Sequence, residues 1–205
     1  MKLVGSLTSP FVRKVRIVLA EKHINYTFIE DSPWLEETAV PTYNPLGKVP
    51  VLLLEDNTTL FDSRVIVEYL EMRSPIAPLI PEDKKQRIAV KRLEALADGV
   101  ADAAATIFIE KKLRPLEQQS FQWIERQFKK IDLGCLALAS ELEKDHQWFN
   151  QNTYGLADIA IGATLGYLDL RFPERNWKIL HPNLAQFMER LSQKASFKDT
   201  CPPLI

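Results

Sequence analysis

Three short stretches in the first third of the chain combine hydroxyls, carboxylates and prolines in ways that could hold an anion or an extended peptide. In Thr8-Ser9-Pro10 a serine precedes a proline, the pattern of a helix N-cap followed by Pro at the first helical position. Such a hydroxyl either caps the helix or joins the unpaired N–H groups and partial positive charge of the helix N-terminus in holding an anion or a thiolate. Arg13, Lys14 and Arg16 add positive charge to the first two turns, against the helix dipole. In Asn44-Pro45-Leu46-Gly47-Lys48-Val49-Pro50, Gly47 permits a turn. Pro50 is either one of two prolines in a plain loop or a cis-proline that turns the backbone of Val49 outward as an edge for an extended peptide. In Asp62-Ser63, Ser63 either caps a following helix or grips a carboxylate with its hydroxyl and the helix N–H groups. Asp62 beside it suits an ammonium group, so the pair together would receive an α-amino acid terminus.

The elements that must position these residues follow from hydrophobic period. Lys2–Ser6 is a short β-prone run, and Val12, Val15, Val18 and Leu19 form one stripe of a helix beginning at Pro10. Tyr26–Ile29 is the next strand, giving a βαβ unit with parallel strands and a right-handed crossover. Val51–Leu54 and Thr59–Phe61 read as a hairpin, and a helix from Ser63 to Arg73 should bury Val65, Ile66, Tyr69 and Leu70. The sum is a four-stranded mixed sheet in an α/β domain over residues 1–75. Three prolines between Ser74 and Pro81 exclude a regular helix there, which makes 74–82 a linker. From 83 to 205 the helical period dominates. Leu93 to Ile107 and Phe121 to Leu142 give two long amphipathic helices, Leu156 to Leu168 is apolar almost all round with Asp158 as its only charge, and a further helix runs from about Asn183 to Lys194. The second domain is therefore an all-α bundle.

Composition removes several function classes. Twenty-six basic residues against 27 acidic ones leave a formal charge of -1 over 205 residues, so no basic field exists for nucleic acid or an anionic membrane. Cys135 and Cys201 are far apart and the three histidines are scattered, which suggests neither a disulfide framework nor a metal site. No apolar run reaches the length of a membrane span or a signal-peptide core, and a cytoplasmic location is expected. Asp98 and Asp102 share one face of the first long helix, either solvated or lining a dimer cleft. Phe108, Arg114 and Leu7 are pocket candidates by position.

Taken together, Ser9-Pro10-Phe11-Val12-Arg13-Lys14-Val15-Arg16, the 44–52 stretch, Asp62-Ser63-Arg64-Val65-Ile66-Val67-Glu68-Tyr69-Leu70 and Leu156-Ala157-Asp158-Ile159-Ala160, in this order and with the linker before the last, resemble the cytosolic glutathione S-transferase family. The resemblance implies a thioredoxin-like first domain binding glutathione as co-substrate, a helical second domain supplying much of the pocket for a small hydrophobic electrophile, a homodimer, and a role in detoxification without a metal. It assigns Ser9 to activation of the glutathione thiol, the main chain of Val49 to the cysteinyl portion, Asp62 and Ser63 to the γ-glutamyl end, and Lys48 to the glycyl carboxylate. Asp158 matches the buried acid of a capping box with a folding role. Gly155 stands where the family commonly has Ser or Thr, a change an N-cap tolerates. Thr8 is an alternative thiol partner to Ser9. A non-catalytic relative using the scaffold for protein partners is the second reading. A thiol-disulfide reductase would need a cysteine near position 9, where none stands.

Overall fold

The structure is a computed structural model that describes residues 1–142 and 146–203. It forms two compact units, Met1–Ile80 with the tail from Gln193, and Pro81–Ser192.

In the first unit Leu3 and Val4 on β1 (Lys2–Gly5) point to opposite faces and are both fully buried, so the sheet is covered on each side. The chain crosses over through α1 (Pro10–Glu21) to β2 (Thr27–Glu30), which lies parallel to β1 with Leu3 opposite Phe28. The predicted stripe of α1 is the one buried. After α2 (Val40–Tyr43) come β3 (Val51–Leu53) and β4 (Thr59–Leu60), giving the order β2-β1-β3-β4 with β3 antiparallel to both neighbours. The fold is thus the expected mixed sheet. Helix α3 (Ser63–Arg73) has the predicted limits, and its predicted face holds in part: Ile66 and Leu70 are buried and Tyr69 is half-buried, but Val65 is 48% exposed and Ser63 and Val67 are buried in its place. Residue 65 lies about 200° around the helix from the buried Ser63, on the opposite side from the inner stripe.

Residues 74–81 are irregular, and they are held by a buried ion pair. The ammonium of Lys22, at the end of α1, lies 2.7 Å from Glu71 of α3. It also donates to the carbonyls of Ser74, Ile76 and Ala77 at 3.1–3.3 Å, while Glu71 accepts from the N–H groups of Leu79 and Ile80. Both charges are therefore compensated inside the fold.

The tail was expected with the helical half. Its helix α9 (Ala195–Asp199) instead meets α1: Arg13 donates to the Phe197 carbonyl at 3.2 Å with its guanidinium over the Phe197 ring, Arg16 donates to the Asp199 carbonyl, and Ser196 donates to Glu21.

The second unit is built from α4 (Lys84–Leu113), α5 (Phe121–Glu141), α6 (Leu156–Arg171), α7 (Trp177–Leu180) and α8 (Pro182–Ser192). Asp83 and Ser120 cap α4 and α5, and α4 packs against both α5 and α6. Helix α6 is buried without interruption from Leu156 to Leu165, as expected of a helix with no polar face. Helix α8 ends at Ser192, two residues before its predicted end.

Candidate functional site

The sheet register brings the three predicted stretches to one edge. Because β3 is antiparallel to β1, with Val4 opposite Val51, the carboxyl end of β1 lies beside the start of β3. Because β4 is antiparallel to β3, with Leu52 opposite Leu60, the end of β4 arrives at the same place. The loops to α1, into β3 and to α3 therefore meet, and Val49, Phe61 and Tyr43 pack on the core formed by Val4, Val40 and Val51. Ligands of α/β sheets bind in such positions, where helix N-termini converge on loops.

Ser9 is extended and caps α1, its hydroxyl accepting from the Val12 N–H at 3.3 Å. Capping uses a lone pair and leaves the hydroxyl proton free to be donated. Its neighbour Thr8 is engaged differently, with its hydroxyl 3.1 Å from that of Ser6. The positive charge expected in the first turns is directed elsewhere: Arg13 and Arg16 reach the tail carbonyls, Arg16 also lies over the Phe28 ring, and Lys14 is 1% exposed. The helix N-terminus, not a basic cluster, is the source of positive potential beside Ser9.

The Val49-Pro50 bond is cis. The turn before it is braced by Asn44, a residue without an assigned role in the sequence reading. Asn44 is 2% exposed, donates to the Lys48 carbonyl at 2.8 Å and accepts from the Leu46 N–H at 3.0 Å, while Gly47 supplies the positive φ of 60° that closes the turn. The signal for it was present, since Asn ahead of a Pro-x-Gly turn commonly binds the backbone two residues on. Lys48 stands exposed on this loop.

At the start of α3 the roles within Asp62-Ser63 are exchanged relative to expectation. Asp62 is the extended N-cap and accepts from the Arg64 N–H at 2.9 Å, whereas Ser63 is the first helical residue and is buried. Asp62 is exposed and follows a cis Phe61-Asp62 bond.

In the helical unit Asp158 is fully buried and accepts from the N–H groups of Gly155 and Phe149, both at 2.9 Å. Burial dominates these bonds and pushes its carboxyl up to about 6. With no side chain at Gly155, only the acid's half of a capping box is made. On α4, Asp102 is exposed but Asp98 is 3% exposed, so the two do not form a common solvated face. Among the described residues no group of His, Cys, Asp and Glu has the arrangement of a metal site, and no helix is long and apolar enough to cross a membrane.

Comparison with known proteins bears on the whole chain. Residues 8–73 match the model for the glutathione S-transferase N-terminal domain, and residues 121–190 match that for the glutathione S-transferase C-terminal domain. An uncharacterized GST-like protein, YibF of Escherichia coli K12, is 40% identical over 99% of both chains. Among solved structures, a glutathione S-transferase from Methylobacillus flagellatus with glutathione bound is 48% identical, covering 98% of this chain and 99% of that one with a TM-score of 0.94. Another from Methylobacterium radiotolerans, in complex with glutathione sulfonate, is 40% identical with a TM-score of 0.93, covering 98% and 94%. With a thioredoxin-like sheet carrying the three loops, a helical second unit and both domain models matched, the chain belongs to the glutathione S-transferase family.

Proposed function

We propose that the protein is a glutathione transferase in which the Ser9 hydroxyl stabilises the glutathione thiolate for attack on small hydrophobic electrophiles. The observation that carries this reading is the convergence at one sheet edge of a free hydroxyl proton at a helix N-terminus, the Val49 main chain at the entry to β3, and an exposed carboxylate at a second helix N-terminus. Asp62 would hold the γ-glutamyl ammonium, and Ser63 with the first N–H groups of α3 its carboxylate. The Val49 main chain would pair with the cysteinyl portion and Lys48 would meet the glycyl carboxylate. Thr8 is the weaker candidate for the thiol, because its hydroxyl is shared with Ser6.

The magnitudes agree. A thiol of pKa about 8.5 is a few per cent ionised at neutral pH, and lowering it by one to two units takes about 1.4–2.7 kcal/mol. A hydroxyl hydrogen bond to a charged acceptor is worth about 1.5–3 kcal/mol, and the α1 N-terminus adds to it. The sulfur then forms a bond to an electrophilic carbon; with an aryl halide the carbon–halogen bond breaks and halide leaves with the electron pair.

Ser9→Ala should raise the pKa of the bound thiol by about one to two units and lower turnover at neutral pH by about 10- to 100-fold, with Ser9→Thr recovering part of both. Ultraviolet titration of bound thiolate and turnover of a chlorodinitrobenzene measure the two effects, and unchanged values for both would sink the assignment. Glutathione binding without turnover by the wild-type protein would favour a non-catalytic scaffold. We further propose a homodimer. Its support is an apolar face on α4 and α5, where Leu133 and Leu136 are more than half exposed beside a groove lined by Ala95, Leu96, Gly99 and Gly134.

A further inference from the structure

Every polar group of Asn44 is used inside one short turn. Its N–H donates to the Val40 carbonyl at 2.9 Å, ending α2, and its carbonyl accepts from the Gly47 N–H at 2.8 Å. The side-chain amide holds both flanks of the turn, accepting from the Leu46 N–H at 3.0 Å and donating to the Lys48 carbonyl at 2.8 Å. Asn44 is buried while Pro45, Leu46 and Lys48 are exposed, so one internal amide anchors a loop that is otherwise solvated. The bond to Lys48 reaches one residue further. The Lys48–Val49 peptide is trans, so its carbonyl and its N–H lie in one plane and point in opposite directions. A Lys48 carbonyl held by Asn44 therefore directs the Val49 N–H away from Asn44. Beyond that plane the Val49 side chain packs on the core of Val4, Val40 and Val51, which pins its other end. Among the described residues the Val49 N–H has no hydrogen-bond partner.

We propose that Asn44 is a positioning residue for glutathione, fixing the Lys48–Val49 peptide so that the Val49 N–H meets the cysteinyl carbonyl of the extended tripeptide. The role rests on the pairing of the Val49 main chain and Lys48 with glutathione proposed above. Asn44 makes no bond to Ser9 or to Asp62-Ser63, so the thiol and the γ-glutamyl end are held independently of it. A brace serving the fold alone would weaken every ligand alike, whereas one that aims this N–H weakens only a ligand carrying an acceptor for it.

Nitrogen-15 relaxation of the ligand-free protein tests the aim, and calorimetry tests its use. The Val49 N–H of the wild-type protein should be as ordered as β1, with an order parameter of about 0.85, and in Asn44→Ala it should fall below about 0.6 while β1 and α1 are unchanged. Asn44→Ala should weaken glutathione about tenfold. It should weaken γ-glutamylcysteamine, which keeps the γ-glutamyl end and the thiol but lacks the cysteinyl carbonyl and the glycine, by less than about twofold. Should Asn44→Ala fail to fold, Asn44→Asp keeps the acceptor for Leu46 and loses only the donor to Lys48. Its glutathione affinity should lie about tenfold below that of the wild-type protein at pH 8 and return toward it at pH 5, where a protonated carboxyl donates to the Lys48 carbonyl again. Equal order at Val49 in wild-type protein and Asn44→Ala, or equal loss of the two ligands, overturns the proposal. A loosened Val49 with selective loss of glutathione affinity, in a protein that turns over no electrophile, keeps the positioning role and refutes the transferase reading instead.

Discussion

At the scale of single residues, burial decides what titrates and what reacts. Asp158 has a carboxyl raised from its ordinary value near 4 to about 6 by desolvation, the two backbone N–H bonds recovering only part of the cost. Since the unfolded acid ionises first, the contribution of this group to stability is complete below about pH 4, declines as pH rises toward 6, and is flat above that. Denaturant unfolding of the wild-type protein between pH 4 and pH 6.5 should show this decline, and Asp158→Asn should flatten it. The amide should also destabilise the fold at every pH by about 1–3 kcal/mol, because it must aim an N–H at one of two N–H donors. A second contrast is between the cysteines. Cys135 is 1% exposed with its thiol pushed up to about 12, and Cys201 is exposed. One thiol should therefore react with a soluble aromatic disulfide reagent in the native protein, and a second only after denaturant; two fast thiols would contradict the buried position of Cys135. Residue types misled the sequence reading where charge was buried. Lys14, expected to add positive charge to the first turns, is buried, and so is Lys22, which no local pattern singled out; the acid that compensates Lys22 stands 49 positions away in α3.

Elements were the most legible level, because strand and helix limits depend on near neighbours. The stripe of α1, the limits of α3 and the mixed four-stranded sheet follow from period and turn residues alone, whereas the order β2-β1-β3-β4 does not. The inner face of α3 was legible only at Ile66 and Leu70; the choice between Val65 and Val67 was not, since both are equally apolar and the stripe is chosen by what packs on it. The cap at Asp62 likewise depends on which residue is the last extended one, a one-residue distinction that the sequence leaves open between two good capping types. How α1 sits on β1 is decided at Gly5. A methyl group there would come within 2.5 Å and 2.9 Å of the two methyl carbons of Val12, so strand and helix touch through the bare backbone. Gly5→Ala should cost about 1–3 kcal/mol by overpacking. Val12→Ala should cost less in that background than in the wild-type protein, giving a favourable coupling in a double-mutant cycle of denaturant midpoints. Strict additivity would mean that the two residues do not press on each other.

For the whole molecule, the apolar face on α4 and α5 carries the expectation of a dimer. Sedimentation should give a mass about twice 23.5 kDa, and Leu133→Glu should halve it without unfolding the chain, since that side chain is 56% exposed; a wild-type monomer would refute the dimer. What no local pattern could report is the course of the tail. The hydrogen bond from Arg13 to Phe197 spans 184 positions, and the tail's short helical run looks in sequence like a continuation of the bundle before it. Its consequence lies in the timing of synthesis. Residues 1–80 are made before the helical unit and the segment from Gln193 after it, so a ribosome can complete the sheet and its three helices early, but the polar groups of Arg13 and Arg16 find the carbonyls of Phe197 and Asp199 only once residues 81–192 have been made. Until then α1, which Ser9 caps, packs on β1 and α3 without α9, and the helical unit is made before those bonds form.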